Sequence, residues 1–420
     1  MPEIRVSTHP IALLAASGLA LAAASTAHGQ ATITAIEPPA GYAEVWTTDA
    51  SGDGSTIVGY ARGSGRPPTP ILWDAMLTPT VLAPLPGDTH AYPSHLTADG
   101  SLATGASVFE FFSLPGTSRA AIWSADGTPE VLGTLPGDDN AGASGISADG
   151  AIVAGTSRGP DGERAFVWTR AGGMVALDAP VGSTRSRAGL VSANGRVIAG
   201  SIQTDEGNRI VRWIDAAEAQ EIGALPGDPF ATPYAISADG SAIVGFSGRQ
   251  TGPSRMVRWT DAGGLEDLGV LPGRSRNRAT DVSGDGSIVV GYGEAIDVFR
   301  AAMWTRSTGL VDLNTYLPTL GVDLGGWTLR HVQAISDDAT VMTGSGVLDG
   351  QIRAFVIRDL APLVPCPADL DADGDLTIFD FLAFGNLFDL MDPRADFDGD
   401  GDFTIFDFLA FQNAFDAGCP

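Results

Sequence analysis

Between residues about 31 and 360, short apolar runs alternate with polar punctuation, and the same phrase keeps returning. Ser144–Asp178 shows it most clearly. It opens on Ile146-Ser147-Ala148-Asp149-Gly150, continues through Ile152-Val153-Ala154-Gly155 and Arg164-Ala165-Phe166-Val167-Trp168, then closes on a Gly-rich turn and an apolar stretch. The Gly after Asp or Asn recurs at Gly54, Gly100, Gly150, Gly195, Gly240 and Gly286, with Asp338-Ala339 as a degenerate seventh copy. The Trp recurs at Trp73, Trp123, Trp168, Trp213, Trp259 and Trp304, with Ile357 in its place in the seventh. A linking phrase, Leu-Pro-Gly, falls at Leu85, Leu135, Leu225 and Leu271.

Each unit predicts four short strands. The first two flank the Asp-Gly turn, a strong hairpin signal read here as a turn with positive φ at both positions. The third carries the Arg and the Trp, and the fourth carries a stretch such as Val131–Leu135. The period is mostly 45 or 46 residues, stretching to 50 and 53. Four strands per such period is the size of a propeller blade, so residues 31–361 predict a seven-bladed β-propeller, and a parallel β-helix fits less well. The seventh unit lacks its fourth strand, and the orphan segment Ile33-Thr34-Ala35-Ile36 is expected to supply it, removing an exposed edge.

From Pro362 the pattern changes. Residues 361–420 hold 13 Asp, one Arg, no Glu and 10 of the 18 Phe. Thr377–Phe384 recurs unchanged as Thr404–Phe411, and each copy follows an Asp-rich loop. Numbered from Asp369, the first loop offers Asp369, Asp371 and Asp373 at positions 1, 3 and 5. Gly374 stands at 6, Asp375 at 7, Thr377 at 9 and Asp380 at 12. The second offers Asp396, Asp398, Asp400, Gly401, Asp402, Thr404 and Asp407 in the same places. Those are the requirements of an EF-hand-type loop, with position 7 ligating through its backbone carbonyl, so two Ca²⁺ sites are expected. Repelling carboxylates should make the module's folding depend on the ion. A disordered acidic linker would not repeat an apolar octapeptide.

The two cysteines, Cys366 and Cys419, frame this tail. In an exported chain a disulfide between them is allowed, worth about 4 kcal/mol for a loop of ~50 residues. Two cysteines with no nearby histidine do not make a zinc site.

Two resemblances rest on these residues. The repeats, on Ile146–Gly150 with Arg164–Trp168 and their copies, resemble the HAF repeat of exported bacterial proteins, which implies export and a β architecture but no defined activity. The tail, on its paired loops, Asp380 and Asp407 at position 12 and the flanking Cys-Pro pairs, resembles type I dockerins and more closely the GC-type dockerin tails of exported bacterial proteins. That implies a small α-helical EF-hand pair at 362–420 docking to a cohesin-like or other cell-surface protein. The chain departs from the cohesin-recognition pattern, with Ile378-Phe379 and Ile405-Phe406 at positions 10 and 11 in place of small hydroxyl residues and no Lys-Arg pair. Those four residues are the expected docking face. Phe381, Phe384 and Phe388, at helical spacing, are expected chiefly in the core.

Composition narrows the partners. The net charge is −26 and every basic side chain is Arg except for histidine, which disfavours nucleic acid and anionic lipid. At the start, Arg5 precedes an uncharged Ala- and Leu-rich run from Ile11 to Ala27 with small residues at Ala27-His28-Gly29. Residues 1–30 therefore read as a secretory signal peptide, too short and weakly apolar for a membrane anchor. A secreted, extracellular chain, attached at the cell surface, is the expectation.

Candidate chemistry elsewhere is thin. Gly155-Thr156-Ser157-Arg158-Gly159 matches the nucleophile-elbow pattern but no helix follows it, so a structural role is expected. The stretches from Asp49 and Asp281 begin like calcium loops but reach Tyr60 and Tyr292 at position 12, so hairpin turns are expected. The repeated Trp is expected in packing, and the off-register Trp46 and Trp327 are the candidates for exposed aromatics. His90, His95 and His331 form no recognisable metal or catalytic set. These features favour a non-catalytic binding protein whose propeller meets a ligand, with a glycan as the candidate class. The alternative is a dockerin-borne enzyme acting on polysaccharide, a glycoside hydrolase or lyase.

Overall fold

The computed structural model describes residues 31–63, 66–109, 117–360, 368, 370, 376–397 and 402–417. The expected signal peptide, Cys366, Cys419, Asp369, Asp371, Asp373, Asp375, Asp398 and Asp400 lie outside them. The described residues are mainly β, followed by two short helices at the C-terminal end.

Local hydrogen bonding explains why each unit begins with a hairpin. In the third unit, Asn140–Ile146 and Ile152–Gly159 run antiparallel around Ser147-Ala148-Asp149-Gly150. The Ser147 hydroxyl donates to Asp149 (2.7 Å) and accepts the Ile152 N–H (3.0 Å), while Asp149 accepts the Ala151 N–H (3.0 Å). Gly150 donates to the Ser147 carbonyl and takes φ +69°. The same Ser/Thr–Asp/Asn contact recurs at Ser51, Thr97, Ser192, Ser237, Ser283 and Ser336. In each copy only the last turn residue has positive φ, so the hairpin is a longer loop closed by side chains and not the two-residue turn expected from Asp-Gly. The seventh copy places Ala339 at φ +60°, a strained position for a residue with a Cβ.

Strands Gly162–Thr169 and Gly173–Ala176 complete the third unit's antiparallel sheet. Three further four-stranded sheets stand apart in the same way, while a twelve-stranded path consists of three such groups joined by single parallel bridges at Asn208–Phe230 and Ser254–Arg276. One four-stranded sheet draws on both ends of the repeat region. Thr32–Ile36 lies antiparallel to Gln351–Arg358, with Ile33 opposite Ile357 and Ala35 opposite Phe355.

Apolar side chains bury between neighbouring sheets. Trp123, fully buried, packs with Val58 and Leu72 of the preceding unit, and its indole donates to the Ala83 carbonyl (2.6 Å). Trp73 packs with Val341 and Val356, which joins the first unit to the last. The six in-register Trp side chains are all buried, as expected. Trp327, expected exposed, is buried at 7 % and meets Phe355 edge-on. It precedes Thr328–Ile335 in an insertion that includes the short helix Leu313–Tyr316, and that insertion folds it inward. Trp46 is half-buried, beside Glu44 and beneath Arg62.

The linking phrases are tied down by the next unit. Ser157, the residue of the elbow-like pattern, is buried; it accepts the Leu135 N–H (3.1 Å) and donates to the Asn140 carbonyl (3.2 Å). Ser107 and Ser247 hold Leu85 and Leu225 in the same way. The repeated Arg of the third strand pairs with the linker Asp: Arg119 with Asp88, Arg164 with Asp138 and Arg255 with Asp228.

Candidate functional site

Two places concentrate unusual chemistry: the C-terminal helices and the interior onto which the first strands face.

In the tail, Thr377 caps the helix Ile378–Asp389 by accepting the Phe379 N–H, and Thr404 accepts the Phe406 N–H at the start of Ile405–Ala417. Asp380 and Asp407 are fully buried. One oxygen of Asp380 accepts the N–H of Thr377 (2.8 Å) and the other that of Leu370, loop position 2 (2.8 Å). Asp407 does the same with Thr404 (2.7 Å) and Phe397 (2.9 Å). Each position-12 carboxylate is thus folded back over its own loop. The two threonine hydroxyls serve the helix starts, so a position-9 contribution would pass through water. Among the described residues no group of three or more His, Cys, Asp or Glu side chains is gathered around one point. Asp380 and Asp407 offer carboxylate oxygens, the donor type that hard cations take.

The aromatic side chains divide between two faces. Phe384 and Phe411, the same position of the two octapeptide copies, are buried and stack on each other at 4.5 Å. Phe381 and Phe388 pack against this pair, as the helical spacing predicted. Ile378, Phe379, Ile405 and Phe406 all point outward, each more than 60 % exposed, and Leu382 and Leu409 lie beside them. An apolar groove of about 580 Å³ between the helices is lined by Leu382, Phe384, Phe388, Ile405 and Phe408.

The repeat region encloses a narrow cavity of about 110 Å³ lined by the first strands of all seven units. At this register position most units place Gly, Leu or Ala, at Gly145, Leu190, Ala235 and Ala334; Asp49, His95 and Asp281 break that rule. Each of the three reaches the next unit. Asp49 accepts the Leu96 N–H (2.8 Å), His95 Nδ1 meets the Ser144 carbonyl (2.7 Å) and Asp281 accepts the Ile335 N–H (2.7 Å). Burial pushes Asp49 up to about 7 and Asp281 up to about 8, and it lowers His95. The turn backbones form a belt at one end of this cavity, with N–H to carbonyl bonds Ala148 to Ala193, Ala193 to Ala238, Gly284 to Asp337, Asp337 to Gly52 and Asp53 to Ala98. Gly52 and Gly284 flank Asp337 where other units have Ala; a Cβ on Gly52 would stand 2.4 Å from the Asp337 carboxylate.

Sequence reasoning missed the interior Asp49–His95–Asp281 set. A departure from the repeat at one aligned position would have revealed it. The stretches from Asp49 and Asp281 are hairpins, as expected, with Asp53 and Asp285 holding the turns.

No helix among the described residues is long and apolar enough to cross a membrane. No family model and no curated protein matches the chain. Solved structures do share its fold. An oligogalacturonate lyase in complex with manganese is 12 % identical, with a TM-score of 0.52, over 78 % of this chain and 92 % of its own. The oligogalacturonate lyase of Vibrio parahaemolyticus is 11 % identical, with a TM-score of 0.50, over 78 % and 93 %. The β-propeller domain of the Trilobed protease from Pyrococcus furiosus is 11 % identical, with a TM-score of 0.50, over 76 % and 96 %. At such identities the likeness concerns fold alone, and the fold of the repeat region is that of a β-propeller.

Proposed function

We propose that the chain is an exported, non-catalytic binding protein. Its body is a seven-bladed propeller in which Thr32–Ile36 completes the last blade, and its surface takes a ligand. Its tail is a dockerin-like module, residues 362–420, that binds two Ca²⁺ ions and docks the protein to a cell-surface or scaffold partner through Ile378, Phe379, Ile405 and Phe406. The observation that carries this reading is the duplicated apolar face. The 12-residue helix Ile378–Asp389 is apolar on both sides. One side packs on the second helix; the other stays exposed on a strongly acidic chain, where a contiguous apolar surface marks an interaction site. Asp380 and Asp407 tie each loop to the start of the helix bearing that face, so a metal in the loops would fix the face in place.

The test is cosedimentation of the full chain with envelope fractions of the native cells, in calcium and in chelator. Wild type binds in calcium only, and the fourfold change Ile378→Ser, Phe379→Ser, Ile405→Ser, Phe406→Ser abolishes binding while calcium uptake persists. Equal binding by that variant would overturn the docking face.

The polysaccharide-degrading alternative has one observation in its favour, the convergence of Asp49, His95 and Asp281. Their bonds to neighbouring backbone give them a stapling role that accounts for their placement. Turnover in a polysaccharide activity panel, lost in Asp281→Asn, would revive it.

A further inference from the structure

A cavity of about 420 Å³ opens beside the interior at the end away from the turns, within the size range of small-ligand pockets, ~300–1,000 Å³. Three arginines meet there. Arg185 and Arg187 lie on Arg185–Val191, and Arg278 lies on Arg276–Val282. On a chain with a net charge of −26 and only 24 arginines, this gathering runs against the overall field.

Each arginine is held differently. Arg278 lies over the Phe246 ring at 4.6 Å and donates to the Tyr234 hydroxyl (2.9 Å) and the Gln250 carbonyl (3.1 Å). Its buried Nε has no partner among the described residues. Because the Tyr234 oxygen accepts from Arg278, its own O–H remains to donate. Arg187 pairs with Glu163 at 2.6 Å, and Glu163, only 6 % exposed, also pairs with Arg158. Arg185 is exposed, and its side chain makes no ion pair with another described residue. Ser201, Gln203, Asn208, Thr232 and Gln250 supply hydroxyl and amide groups around the charges.

The position in the repeat is informative. First-strand positions one and three read Asn140 and Gly142 in the third unit, Arg185 and Arg187 in the fourth, Phe230 and Thr232 in the fifth, and Arg276 and Arg278 in the sixth. The scaffold does not need Arg at these places, since other units do without it. A second, smaller cavity shares Arg187, Ser201, Thr232 and Tyr234 with this one and extends to His95, so the pocket leads toward the interior.

We propose that this cavity binds a singly charged, hydroxyl-rich carboxylate, namely a uronic-acid saccharide, with Arg185 and Arg278 on the carboxylate and the amide and hydroxyl lining on the ring hydroxyls. The Arg fork matches a carboxylate. Glu163 offsets Arg187, so Arg185 and Arg278 are the cations left to face the ligand's carboxylate, and a sugar phosphate is the competing anion. The inference rests on the proposed function only in making the propeller the ligand-bearing body; the tail's docking face plays no part in it.

Calorimetric titration of the full chain tests it with three probes: digalacturonate, the neutral digalactoside and galactose 6-phosphate. Digalacturonate is expected to bind, the neutral sugar at least 10-fold more weakly, and the phosphate more weakly than the uronate. Arg185→Gln, at an exposed site, should fold normally and weaken uronate binding about 10-fold or more. Arg278→Lys keeps the charge but loses the fork and should also weaken it. No uronate binding, equal binding of the neutral sugar, tighter binding of the phosphate, or an unchanged affinity in folded Arg185→Gln would each overturn the assignment. None of these outcomes bears on calcium-dependent envelope binding, which is scored separately.

Discussion

The two ends of the propeller's first strands obey different rules. At the turn end every unit repeats the same device: a Ser or Thr hydroxyl bridges an Asp or Asn and a backbone N–H, and neighbouring turns share backbone bonds, the last unit with the first included. At the other end the same strands carry Glu44 and Trp46, His90 and Tyr92, Asn140 and Gly142, or Arg185 and Arg187, with no common residue. Sameness marks the end where neighbouring units are bonded to one another; difference marks the end that carries the proposed ligand cavity. In a repeat protein this contrast separates scaffold from site within one chain.

Substitutions should respect that division. The largest loss is expected from the packing between units: Trp123→Ala removes a fully buried indole and should cost about 3–5 kcal/mol in denaturant unfolding. A cost below ~1 kcal/mol would mean that the units are not coupled through these Trp side chains. Next comes the interior pair. Folded-state values of about 7 for Asp49 and about 8 for Asp281 lie above the unfolded value of 3.8. Their stabilising contribution is therefore present in full below pH ~4 and lost as pH rises through 7 to 8. Wild-type thermal stability should fall from pH 6 to 9 by roughly 5 °C or more relative to Asp49→Asn/Asp281→Asn, whose profile should be flatter. Parallel profiles would show that burial does not hold these carboxyls neutral.

At the turn end, Ser147→Ala leaves the Ile152 N–H without its acceptor and should cost about 1–2 kcal/mol. At the other end, Arg185→Gln should change stability by less than about 0.5 kcal/mol while weakening uronate binding about 10-fold or more. Similar stability costs at the two sites would erase the contrast.

Most of the fold was legible because its signals are local. Asp-Gly between apolar runs marks the hairpins, the Trp marks the third strand, and Ile33–Ile36 has the apolar pattern of a missing strand. The turn itself was misread, since the Asp-Gly pair does not reveal that a serine hydroxyl two residues before the Asp closes a wider loop. Trp327 was misplaced because an insertion outside the repeat carries it inward. The arginine cavity was invisible: Arg185 and Arg278 come from different units, and only the packing of those units brings them together. In the tail the duplicated octapeptide was legible, and the structure places its Phe384 and Phe411 stacked inside and its Phe379 and Phe406 outside.

The docking account depends on the metal, so the most direct measurement is calorimetric titration of calcium into the decalcified full chain. Two ions per chain are predicted, falling to one in Asp380→Ala and to one in Asp407→Ala, with the C-terminal helices losing ellipticity when chelator is added. Absence of calcium uptake by folded wild-type protein, or uptake unchanged in both variants, would contradict the account.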